Sequence, residues 1–137
     1  MTPEDSAAAA RPGNGPATAP APLVVAASLT AVQAILVLLF AVVEISTTNR
    51  ERLVMGGTTA LFFAVYGITL LVCAGGLLKL RSWARGPVLL SQLIWLGLAW
   101  NFRDSELTVL AVFAAIAAAI VIAGLVHPAS TDALARD

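Results

Sequence analysis

The side chains that could do chemistry in this 137-residue chain are few and neutral. Thr30, Gln33, Tyr66, Thr69, Ser91 and Gln92 lie inside long apolar runs, together with the one cysteine, Cys73; the one histidine, His127, closes the last run. Amides and hydroxyls in an apolar medium donate and accept hydrogen bonds and do little else. Turned toward a shared cavity, Gln33, Tyr66, Thr69 and Gln92, with Thr30 and Ser91 beside them, would line a path for a small neutral solute. Turned toward one another, they would bond across helices and hold the fold together, each contact contributing about 0.6 kcal/mol on average. Tyr66, Thr69, Cys73 and Gly76 follow one another at helical steps of three and four residues, so Cys73 reads as packing on a small, hydrogen-bonding face. His127 reads as an interfacial residue, with pH sensing as the alternative. A single cysteine cannot close an internal disulfide, and with one histidine it cannot assemble a metal site. No nucleophile with its base, metal set or phosphate loop appears, so neither a cofactor nor a catalysed reaction is expected.

The most informative feature is an absence. No Asp, Glu, Lys or Arg lies within the central part of any apolar run. Ion-coupled carriers and proton relays use such a group, because a charge held at low dielectric exchanges a proton or cation with effect. A small multidrug exporter has a similar length and a carboxylate deep in its first helix; here Glu44 stands at the outer end of that run.

The elements that must position these residues follow from composition. The chain is 59% apolar and only 12% charged, with eight basic side chains against eight acidic ones. Such a composition belongs in a bilayer rather than in water. The cancelled and scattered charge leaves no basic surface to track a phosphate backbone, so nucleic acid is not an expected partner. Residues 1–22 mix Pro3, Pro12, Pro16, Pro20 and Pro22 with alanine and glycine and predict a disordered tail. A secretory signal is the competing reading, but Arg11 faces Glu4 and Asp5 in its n-region, and the following run is too long.

Four spans are expected, at about 23–43, 58–78, 87–102 and 107–126, forming an all-α antiparallel four-transmembrane-helix bundle over residues 23–127. The first two hold 21 residues each, a helical rise of about 31 Å that matches the hydrocarbon core of a bilayer. The third is shorter, and Gly86-Pro87 starts it, in the position where proline's missing N–H does no harm. Trp83 and Trp100 near its two ends, with Arg85 and Arg103 to snorkel, would seat it, and Trp95 lies deeper and packs. Residues 44–57 read as the longest loop, 103–106 as a tight hairpin connection, and 128–137 as a short polar tail. In the last span Ala111, Ala115, Ala119 and Ala123 repeat at steps of four, a seam of small residues suited to helix contact in lipid. Alanine-rich composition throughout the chain explains the same repeat without a specific interface.

Between the second and third runs stands Lys79-Leu80-Arg81-Ser82-Trp83-Ala84-Arg85-Gly86-Pro87. Counting Lys and Arg, Arg11, Lys79, Arg81, Arg85 and Arg136 fall on one side, and Arg50, Arg52 and Arg103 on the other. That bias predicts both termini in the cytoplasm of a multi-pass protein of the cell membrane. Lys79, Arg81 and Arg85 are expected to set topology and to touch anionic headgroups weakly, each adding about 1 kcal/mol near a charged surface. The run from Arg81 to Pro87, with Gln92-Leu93 five residues on, resembles the second-to-third helix junction of small four-helix integral membrane proteins of unassigned function from high-GC Gram-positive bacteria. The likeness covers about a fifth of the chain and implies topology and provenance, without a mechanism.

The function expected from these features is that of an accessory or structural membrane subunit, associating with itself or with a larger membrane complex in the lipid bilayer. The alternative is an oligomeric pore or carrier for a small neutral solute, with the glutamines and Tyr66 along its path.

Overall fold

The computed structural model describes residues 18–136, and every regular element among them is helical. Helix α1 runs Ala21–Thr47, α2 Leu53–Leu78, α3 Arg85–Asn101, α4 Thr108–Val126 and α5 Pro128–Leu134. Single 3₁₀ turns at Arg50–Arg52 and Ser82–Ala84 lead into α2 and α3. Three helical stretches, Ala21–Thr47, Arg50–Leu78 and Thr108–Val126, are long and apolar enough to cross a membrane. Helix α3 has 17 residues, a rise of about 26 Å that stops short of a typical hydrocarbon core. The expected disordered tail falls largely on residues 1–17, outside the described part of the chain.

Two boundaries differ from expectation for local reasons. The loop expected over 44–57 is mostly helix, and only residues 48–52 connect α1 to α2. Ser46 Oγ donates to the Val42 carbonyl at 2.6 Å, Thr47 Oγ1 to Val43 at 3.0 Å and Thr48 Oγ1 to Glu44 at 2.6 Å. These hydroxyls fold back on their own helix, so polar residues continue it where they would otherwise favour a turn. Residues 128–137, expected as a tail, instead contain α5. His127 Nδ1 accepts the Ala129 N–H at 3.2 Å and Pro128 fills the first turn, a cap followed by a proline where no N–H is needed. Ser130 and Leu134, one turn apart, are buried.

Packing fixes the directions of the helices. Leu23 and Ala26 from the start of α1, Cys73 and Leu77 from the end of α2, Ala84 and Val88 at the start of α3, and Val121 and Leu125 from the end of α4 form one buried cluster, which Leu134 of α5 closes. Successive helices therefore run in alternating directions. Helix α1 packs most extensively on α2 and also on α4; α4 packs on α3, and α3 touches α2 more lightly. Two glycines permit close approaches between helices. A Cβ at Gly67 would stand 2.7 Å from Leu38 Cγ, and one at Gly124 only 2.6 Å from the Pro22 carbonyl oxygen. The α1–α2 and α1–α4 contacts thus pass through bare backbone, as helix contacts in lipid commonly do.

The outside is as apolar as the inside. Val54 is 83% exposed and Val109 69%, and large aliphatic or aromatic side chains face outward from each of α1 to α4. A surface of that extent on a chain with three helices able to cross a bilayer matches a lipid environment.

Candidate functional site: a polar layer inside the helices

Helix α1 carries Gln33 and α3 carries Gln92 to the middle of the packed helices, and the two amides face each other. Gln92 Nε2 donates to Gln33 Oε1 at 2.8 Å, and Gln33 Nε2 donates back to Gln92 Oε1 at 3.3 Å. Gln92 is fully buried and Gln33 nearly so. The ring of two reciprocal bonds links α1 to α3, which otherwise are not principal neighbours. Each amide uses one of its two N–H donors and one carbonyl lone pair in the pair, and one N–H on each remains.

One residue before Gln92, Ser91 Oγ meets Tyr66 Oη of α2 at 2.5 Å, and either oxygen can donate. Phe62 stacks nearly parallel on the Tyr66 ring, with an interplanar angle of 2°. Helix α3 is thus tied to α1 and to α2 at one level by adjacent residues. Thr30 is buried, but its hydroxyl bonds to the Ala26 carbonyl of its own helix at 2.8 Å. Thr69, expected in the same cluster, lies on the exposed face of α2 and donates to its own Val65 carbonyl at 2.8 Å. The structure therefore brings together Gln33, Gln92, Tyr66 and Ser91, and leaves Thr69 outside. Cys73 is buried in the apolar cluster at the level of Leu77.

A cavity of about 110 Å³ lies elsewhere, between the end of α3 and the start of α4. Trp95, Phe102, Leu107, Leu110, Ala111 and Ala114 are among its walls. None of the four polar-layer residues lines it. Among the described residues, the buried Trp95 Nε1 and Ser130 Oγ have no hydrogen-bond partner.

The alanines of α4 divide between two faces. Ala111 is buried against the other helices and Ala115 is half-buried, whereas Ala119 and Ala123 are exposed. The face that packs within the chain runs Ala111, Ala118, Val121, Leu125, rotated from the step-of-four row as the helix's 3.6-residue repeat requires. At the basic turn, Lys79 and Arg81 are exposed and Arg85 is half-buried. Leu80 has φ of 58°. Its N–H bonds to the Leu77 carbonyl at 3.0 Å, and the Arg81 N–H bonds to the Gly76 carbonyl at 2.9 Å. This is the double bond of a Schellman helix end, with leucine in the left-handed position that glycine usually takes. Leu80 packs against the apolar cluster, which offsets that conformation. Trp83 and Trp100 are both exposed near the two ends of α3, and the Arg103 guanidinium lies 4.4 Å over the Trp100 ring and 3.1 Å from Asp104.

No family model, curated protein or solved structure matches the chain.

Sequence reasoning missed the buried roles of Ser130 and Leu134, whose signal was the His127-Pro128 cap with residues one turn apart beyond it. It also missed Gly67 and Gly124, which no local pattern separates from the open Gly75 and Gly97.

Proposed function

We propose that the chain is a non-catalytic structural or accessory subunit of the cell membrane, a four-helix transmembrane bundle with both termini and the 79–85 turn on the cytoplasmic face. The observation that carries this reading is the reciprocal Gln33–Gln92 pair. The strongest polar groups inside the helices are directed at each other, and a ring of two amide bonds closes the centre where a solute path would run. The Tyr66–Ser91 contact does the same at the neighbouring helix pair. Lys79, Arg81 and Arg85 form no ion pair among the described residues, which suits a role beside lipid headgroups. The exposed Ala119 and Ala123, and the apolar belt around them, are where a second copy or a larger membrane complex would lie.

The test is recovery from native membranes in mild detergent, with crosslinking through Ala119→Cys in a Cys73→Ser background. A captured neighbour, together with no solute flux in reconstituted vesicles, is the expected result. Flux of a neutral solute that disappears in the Gln33→Leu/Gln92→Leu variant would replace this reading with a carrier. Recovery as a lone monomer without flux would remove both.

A further inference from the structure

We propose that α3 is a conditional span, admitted to the bilayer by Gln33 of α1, which already stands there to pair with Gln92. The proposal rests on the four-span reading above and adds what lets the third span cross.

Three helical stretches are long and apolar enough to cross a membrane, and α3 is not among them. It has 17 residues, and its buried face is Val88, Ser91, Gln92 and Ala99, half of it polar. In hydrocarbon an amide without a partner bears the full cost of its lost water, whereas apolar side chains gain nothing by exchanging lipid for another helix. What admits such a helix is therefore a polar partner. The threonines of the other spans need none: Thr30, Thr58, Thr59 and Thr69 each bond to a carbonyl of their own helix. Among the described residues, the side-chain bonds that join two spans all end on α3, from Gln92 to Gln33 at 2.8 and 3.3 Å and from Ser91 to Tyr66 at 2.5 Å.

Order along the chain agrees. Gln33 lies 59 residues before Gln92 and Tyr66 lies 25 before Ser91, so a chain made from its N-terminus has both partners in place when α3 emerges. Helix α4, on which α3 packs more extensively than on α2, comes later and cannot help at that stage. The two bonds differ in weight. Ser91 can turn back to a carbonyl of its own helix, whereas the Gln92 amide has two N–H donors and a carbonyl to place, so Gln33 carries the effect. The dependence is also one-sided, because α1, with 27 residues, is long and apolar enough to cross whether or not Gln33 finds a partner.

The experiment uses the full chain in sealed cells, with Ser105→Cys or Asp132→Cys as the single cysteine in a Cys73→Ser background and an impermeant thiol reagent, each signal taken as a fraction of the chains present. An uncrossed α3 leaves position 105 inside, and α4, able to cross by itself, then carries position 132 out. Gln33→Leu should raise the uncrossed fraction by about fivefold or more, since it orphans an amide on the helix least able to bear one. Gln92→Leu should not raise it, and adding Gln92→Leu to Gln33→Leu should restore crossing. A pair that only stabilises the folded helices would respond alike to either single change. Equal uncrossed fractions in the two single variants, whether both low or both raised, would overturn the conditional span, as would a double variant that crosses no better than Gln33→Leu. Ser82→Cys and Ser105→Cys reacting from the same side in the otherwise unchanged chain would instead overturn the four-span reading itself.

Discussion

At the scale of single residues, the amide pair makes the sharpest claim. Replacing Gln33 or Gln92 alone by leucine leaves the surviving amide buried with no partner, at a cost of about 1–3 kcal/mol. Replacing both removes the orphan together with the bond, whose own contribution in lipid averages about 0.6 kcal/mol. The double variant should therefore lose less stability than the sum of the singles, measured as a double-mutant cycle by reversible unfolding in bicelles; strict additivity would mean that the amides do not act as a pair. Leu80 offers a second case. Its left-handed backbone costs a leucine about 1–2 kcal/mol, and a β-branched side chain tolerates it less. Leu80→Val should be at least about 1 kcal/mol less stable than Leu80→Gly, although valine keeps more apolar surface. The reverse order would show that packing, and not backbone conformation, governs the turn. Residue types and helical spacing marked Gln33, Gln92, Tyr66 and Ser91 as inward-facing. They could not exclude Thr69, because a hydroxyl that bonds to its own helix lies comfortably on an outward face, and spacing alone does not reveal where the neighbouring helix stands.

At the scale of elements, the contacts through glycine rank three substitutions. A methyl at Gly124 meets the Pro22 carbonyl oxygen, rigid backbone that cannot step aside. At Gly67 the nearest atoms belong to the Leu38 side chain, which can rotate, although the Ala34 carbonyl stands 3.1 Å away. At Gly75 there is open space. Gly124→Ala should cost the most, about 1–3 kcal/mol, and Gly67→Ala less. Gly75→Ala should be neutral or stabilising by up to about 1 kcal/mol, since alanine favours helix. Thermal unfolding in one detergent orders the three directly, and equal losses would show that the helices do not approach so closely at Gly124 and Gly67. The helices themselves were legible from the length of their uncharged runs. Their ends were less so: Ser46, Thr47 and Thr48 read as a loop by type, yet their hydroxyls extend α1 by bonding to carbonyls four residues back. Helix α5 was hidden by its polar sequence and its brevity, and it exists because Leu134 reaches the cluster built by α1 and α4.

At the scale of the whole molecule, alternation of apolar runs with basic and acidic connections was enough to anticipate an all-helical chain, and one buried cluster joins the starts of α1 and α3 to the ends of α2 and α4. Which helices traverse the lipid is a separate matter, and α3 decides it. Three helical stretches are long enough by themselves, whereas α3 is short. In the four-span topology proposed above, α3 crosses with its ends seated by Trp83 and Trp100 and with the bilayer thinned beside it. Single cysteines placed at Thr18, Asn49, Ser82, Ser105 and Asp132 in a Cys73→Ser background, labelled in sealed cells by a reagent that cannot cross the membrane, read the number of passes directly. Four passes with both termini in the cytoplasm predict labelling from outside at 49 and 105 and protection at 18, 82 and 132. Positions 82 and 105 reacting from the same side, or 18 and 132 from opposite sides, would contradict that topology.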